Sequence, residues 1–268
     1  MASFTDKKLS EVYKDILHTD NSNSGISSTI KQIKCGDGDT SALYLSDRNL
    51  KAQPSTDSTT NSVICDADGN ALLTVDSTND LVKAGIGQHT VNTQYAYFGV
   101  SSGIGANFAT GRHHVLSFGG NTQTAALADN FQLGTGTDPE TSFTTADGAG
   151  TDASVVVPCM WLVPDNVTID AVYSLEGGDN ANSGGAATTR MHLMSYTFNS
   201  GSTSALADGV LLAHNSDVTN EGSEQAYKST WTVDSADVAG NKVILATFLT
   251  TDVTGDYSVS VMVKYHLR

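Results

Sequence analysis

The stretch Gly99-Val100-Ser101-Ser102-Gly103 fits the spacing of a serine nucleophile held on a sharp turn between a strand and a helix. Residues 94–100 read as the strand, but Ile104-Gly105-Ala106-Asn107 opens no helix, so the chemistry of an activated serine is not expected here. His113-His114 is the one histidine pair. Neighbours on a strand point to opposite faces, so the two imidazoles are not expected to share a metal, and no HxH or HExxH spacing supports one elsewhere. Asp37 with Asp39, and Asp66 with Asp68 and Asn70, offer oxygen ligands at calcium-loop spacing. Both lack the closing bidentate glutamate, and both read as tight turns, in which Asp, Asn and Gly satisfy their own backbone. No phosphate-binding loop, dinucleotide fingerprint or paired-carboxylate motif is present, and no cofactor or metal is expected, with calcium or magnesium on an acidic turn as the alternative.

Leu9, Val12, Tyr13, Ile16 and Leu17 fall on one stripe of a helix, behind a weak capping box at Ser3 and Asp6. Three turns of helix are marginal in water, so this stripe must lie against something, either its own domain or a partner, for which these five residues are the candidate contacts. From residue 30 to 84 the chain reads as short strand, turn, short strand, with apolar pieces at 30–33, 42–45, 63–65, 72–75 and 81–82. Hairpins this small cannot bury a face alone. Either they lie as a thin sheet on a neighbouring domain or several chains share a core, for which Ile64, Leu72 and Val75 are the candidates. The tetrapeptide Thr-Ser-Ala-Leu occurs at 40–43 and again at 203–206, with no similarity around it, so no internal repeat is read.

Residues 85–130 read as a Gly/Ser-rich connector with strands at 94–100 and 114–118. After residue 131 the period-two signal strengthens. Val167, Ile169, Ala171, Tyr173 and Leu175 alternate with mostly polar residues, as do Tyr227, Ser229, Trp231 and Val233, and Tyr257, Val259, Val261, Val263 and Tyr265. Residues 243–249 (VILATFL) are almost continuously apolar, as a central strand would be, and 154–157, 160–163 and 191–198 add further strands. The expected fold is all-β. An N-terminal region (1–84) carries a short helix and small hairpins, and residues 131–268 form an antiparallel, jelly-roll-like β-sandwich.

Across 268 residues there are 14 Lys plus Arg against 29 Asp plus Glu, a formal charge of −15. That excludes a phosphate-neutralising nucleic-acid binder. No apolar run is long enough for a membrane-spanning helix, and residues 9–17 are too interrupted for a signal peptide. The sequon Asn166-Val167-Thr168 is accordingly read as unused. Cys35, Cys65 and Cys159 form neither a disulfide framework nor a zinc motif and are expected to be free, buried thiols. The charge is uneven: residues 1–83 carry 8 basic and 12 acidic side chains, whereas 84–227 carry only Arg112 and Arg190 against 13 acidic ones.

Several stretches resemble a known group of proteins. Residues 13–26 (YKDILHTDNSNSGI), continued by 36–46 (GDGDTSALYLS), resemble the start of tail-fibre-like and other virion structural proteins of marine bacteriophages. Residues 63–82 (VICDADGNALLTVDSTNDLV) resemble the hairpin unit of trimeric phage fibre stalks, and 161–168 and 263–266 are similar to the sandwich of the same proteins. The resemblance implies a non-enzymatic virion surface protein that is homotrimeric. It would be anchored through its N-terminal region to the major capsid protein or to tail components, assembled in the host cytoplasm and released by lysis. Capsid decoration, a head fibre and a short tail fibre all fit. The alternatives are a tail fibre that binds host-surface glycan, or a polysaccharide depolymerase, which would need a carboxylate pair in a cleft.

Overall fold

The computed structural model describes residues 16–19, 21, 24–101, 110–119, 132–144, 157–178, 187–220, 224–251 and 257–268. The described chain is all-β, built from several antiparallel sheets, and divides into two units, Met1–Val91 and Asn92–Arg268.

The first unit holds two four-stranded meanders. One comprises β1 (His18–Thr19), β2 (Lys31–Lys34), β3 (Thr40–Leu45) and β4 (Leu50–Ala52), paired in chain order. The other comprises β5 (Ser62–Cys65), β6 (Ala71–Asp76), β7 (Leu81–Ala84) and β8 (His89–Thr90), again in chain order. The second strand-to-strand turn of one meander and the first of the other have the same bonding. Cys35 N–H donates to Asp39 O and Gly38 N–H to Cys35 O, just as Asp66 N–H donates to Asn70 O and Gly69 N–H to Asp66 O. Gly38 and Gly69 take φ of 91° and 88°, a left-handed conformation that glycine adopts without a Cβ clash. The repeat that the sequence conceals is thus present in the backbone, carried by turn chemistry and apolar spacing rather than by residue identity.

In the second unit, β9 (Thr93–Ser101), β10 (His114–Val115), β11 (Ser117–Phe118), β12 (Trp161–Val163), β13 (Val167–Gly178), β14 (Ala187–Phe198) and β15 (Leu206–His214) come first. They are followed by β16 (Val218–Asn220), β17 (Gln225–Thr230), β18 (Thr232–Val233), β19 (Asp237–Val238), β20 (Lys242–Thr250) and β21 (Tyr257–Leu267). One sheet has the order β10-β20-β14-β15-β18, with β12 also on β20 and β16 on β14. The other has the order β11-β9-β21-β13-β17, with β19 also on β13. The strand expected over 114–118 is two strands in different sheets, and buried Leu116 is the residue between them. Strand β15 begins at Leu206, within the Gly- and Ser-containing run 199–209. Of residues 154–157, expected as a strand, only Val157 is described, and it opens a 3-10 turn (Val157–Cys159).

Two hydrophobic clusters explain these sequences. The larger draws Phe98, Val172 and Val261 from one sheet together with Met191, Leu193 and Phe248 from the other. The second joins Leu133 and Phe143, from residues 132–144, to Met194, Tyr196, Val243 and Leu245. Strands β14 and β20 contribute to both clusters, so they are buried on both faces, which is why 243–249 is apolar almost without interruption. Segment 132–144 is tied down by Tyr196 Oη–H donating to Glu140 O at 2.8 Å and Gly209 N–H donating to Thr141 O at 2.9 Å.

One departure from the expected pattern matters most. A bulge between Ile169 and Ala171 shifts the register of β13 against β21. Val167 and Ile169 point inward, but beyond the bulge Val172, Ser174 and Glu176 are the buried residues. Tyr173 and Leu175, inward by simple alternation, instead face out.

Candidate functional site

The hairpin region places its apolar residues by cross-strand pairing. Directly paired residues share a face of a sheet. In the second meander Ile64 pairs with Leu73, Val75 with Val82, and Leu73 with Ala84, so these five residues form one apolar face. In the first meander Leu45 pairs with Leu50 and Leu43 with Ala52, and Ile33 follows Lys31, the partner of Leu45, onto the same face. The two faces are equivalent, and neither is covered by a core of its own. Ile33 is the only buried hydrophobic residue of the first unit among the described residues, whereas Leu43, Leu50, Ile64 and Val82 are all exposed.

The three candidates for a shared core do not lie on one face of the sheet. Ile64, 60% exposed, and Val75 lie together. Leu72, 43% exposed, lies on the opposite face with Thr74 and Asp76, because it is an odd number of residues from Val75. Leu73, rather than Leu72, shares the face of Ile64 and Val75. The carboxylate of Asp76 is bonded to Lys83 Nζ at 2.8 Å and to Asn79, and these bonds hold its pKa down at about 2.

Of the N-terminal stripe, Leu9, Val12 and Tyr13 lie outside the described residues. Ile16 and Leu17 stand in irregular chain just before β1, with Leu17 exposed, so no helix extends to them. The backbone prefers to pair His18 and Thr19 with Lys34 and Ile33.

The acidic turns are turns. Asp66 Oδ1 accepts from the N–H groups of Asp68 and Asn70, at 2.9 and 2.8 Å, and its Oδ2 accepts from Asn70 Nδ2 at 2.9 Å. Bonding from the Asn70 side chain, then from the loop backbone, holds its pKa below the usual carboxylate range. The described residues contain no group of three or more metal-ligating side chains. Cys159 is buried, and burial pushes its thiol up to about 12, but Cys65 is exposed and Cys35 half-buried, contrary to the expectation that all three are buried.

Ser101 continues β9 opposite Ser258, still within the ladder, while Ser102 and Gly103 lie outside the described residues. His113 and His114 are both buried. His113 Nε2–H donates to Gly136 O at 3.0 Å, and its ring meets His192 edge-on with centroids 5.0 Å apart. The His192 ring has Asp138 at 3.4 Å and stacks towards His214, whose Nδ1 is 2.7 Å from Asp234. Burial, followed by the neighbouring His113, holds His192 down at about 4, so its ring is neutral at pH 7. Nothing in the spacing of His113, His192 and His214 announces this row, because three separate segments supply it.

The chain matches no family model and no curated protein.

Proposed function

We propose that this chain is a non-enzymatic structural protein of a bacteriophage particle. It would be exposed at the surface as a capsid decoration, head fibre or short tail fibre. In this reading the N-terminal region anchors the protein and joins three copies, and the C-terminal unit is an outward-facing, jelly-roll-like sandwich. One observation carries the proposal: two ordered meanders with a single buried hydrophobic residue between them and two equivalent apolar faces open. Small sheets do not persist in water without burying a face, so the missing core is supplied by other chains. The resemblance of residues 63–82 to trimeric stalk hairpins points to copies of the same chain.

Sedimentation of the full-length protein tests the first half of the proposal. A trimer is expected, and a monomer at micromolar concentration would overturn it. Crosslinking of purified particles tests the second half. Crosslinks from the N-terminal region to the major capsid protein support decoration, crosslinks to tail components support a fibre, and absence of the chain from the particle refutes a virion role.

A further inference from the structure

The outward turn of Tyr173 and Leu175 builds a groove on the outer face of the β9-β21-β13-β17 sheet. Pairing places Tyr97 beside Met262 and Met262 beside Tyr173 across three strands, with Tyr95 beside Lys264, and Leu175 beside Lys228. The groove has a volume of about 560 Å³, and its lining contains no carboxylate. Tyr95 and Tyr97 are 50% and 47% exposed. The bulge that creates it puts polar Ser174 and Glu176 inside and apolar Tyr173 and Leu175 outside. Such a conflict between local pattern and fold is expected where a surface is kept for use.

The charges identify the class of ligand. Residues 92–268 carry six cationic side chains against seventeen carboxylates. Four of the six are engaged: Arg190 with Asp217, Arg268 with Asp237, Arg112 with Gln132, and Lys242 with Thr197. The remaining two, Lys228 and Lys264, both line the groove, and neither has a carboxylate within ion-pair distance among the described residues. On a surface this acidic, these two ammonium groups beside three tyrosines complement an anion with flat apolar faces. From strand rise and spacing their Cα atoms are about 16 Å apart, a span that suits a chain of several rings rather than one.

We infer that this groove binds an acidic oligosaccharide, with sugar rings lying on Tyr95, Tyr97 and Tyr173 and sugar carboxylates meeting Lys228 and Lys264. A peptide that pairs by its backbone needs a sheet edge, and the face of a sheet has already spent its N–H and C=O groups on the ladder. A nucleic acid strand would bring a phosphate with every base to a groove lined by only two cations on a strongly acidic unit. A uronic acid chain asks for ring faces, hydroxyl partners such as Ser260, and sparse positive charge.

The test is calorimetric titration of the full-length protein with oligogalacturonate, and with the same oligomer fully methyl-esterified to remove its charge. Binding of the acidic form, weakened by salt, is expected, with the ester binding at least several-fold more weakly. Lys228→Gln and Lys264→Gln should each weaken binding about two- to five-fold. Tyr97→Ala should weaken it about five-fold. Lys242→Ala, away from the groove, should leave it unchanged and so reports non-specific charge effects. Equal binding of acid and ester, or insensitivity to the groove variants, overturns the inference. So does capture of a second copy by a photocrosslinker at residue 97, which would make this face an interface between chains.

Discussion

Asp170 Oδ1 lies 2.8 Å from His266 Nδ1, and this pair clasps the bulge at which β13 changes its inward face. Asp170 is the extra residue between Ile169, paired with Tyr265, and Ala171, paired with Lys264. The side chain on the neighbouring strand thus holds the one irregularity that turns Tyr173 and Leu175 to solvent.

Removing that clasp has a modest expected cost, because Asp170 is exposed although His266 is buried. Asp170→Ala should lose about 1 kcal/mol, a fall of roughly 2–4 °C in Tm for a unit of this size. Thermal denaturation monitored by near-ultraviolet circular dichroism measures it. A variant as stable as the parent would show that backbone geometry alone holds the bulge.

Acid should destabilise the second unit through His192. Its folded pKa, about 4, lies below the unfolded value near 6.5, so the unfolded chain gains a proton first as pH falls. Stability is therefore complete above about pH 7 and declines between there and pH 4, by at most about 3 kcal/mol for this ring. Burial depresses His113 as well, which adds in the same direction. Chemical denaturation across that range, compared with His192→Gln, measures the effect. The variant should show a shallower decline, and an identical pH slope would remove His192 as the cause.

Glu176 acts with the opposite sign. Burial raises its carboxyl pKa in the folded chain, against a smaller lowering by the Thr189 side chain. Its contribution is present below the unfolded pKa and is lost as pH rises through the folded one. Glu176→Gln should raise Tm at about pH 8, on the order of a few degrees, and the difference should vanish towards pH 4. A constant offset at both values would place the effect in packing rather than titration.

The two faces of β6 should respond differently to charge. Val75→Asp puts a carboxylate on the apolar face shared with Ile64 and Val82, and should convert the proposed trimer to monomer. Leu72→Asp, on the other face, should leave the assembly intact. Sedimentation velocity of the two variants side by side decides. The reverse order of sensitivity would assign the shared core to the Leu72 face.

Much of the fold was legible because period two is a local property. The strands at 94–100, 191–198, 243–249 and 257–265 lie within β9, β14, β20 and β21. What misled was parity. A single inserted residue at Asp170 inverts every later side chain of β13, and a one-residue difference separates Leu72 from Leu73. Alternation read along one strand cannot detect either, because both are set by the partner strand.

By itself, the sequence determined an all-β chain, its turns and the apolar residues that its short hairpins cannot bury. These follow from backbone preferences and residue types within a few positions of one another. Tertiary structure alone decided which side of each sheet those residues occupy, that Lys228 and Lys264 meet the same groove, and that His113, His192 and His214 form a row. Those relationships join residues far apart in the chain, and they exist only once cross-strand hydrogen bonds have fixed the register.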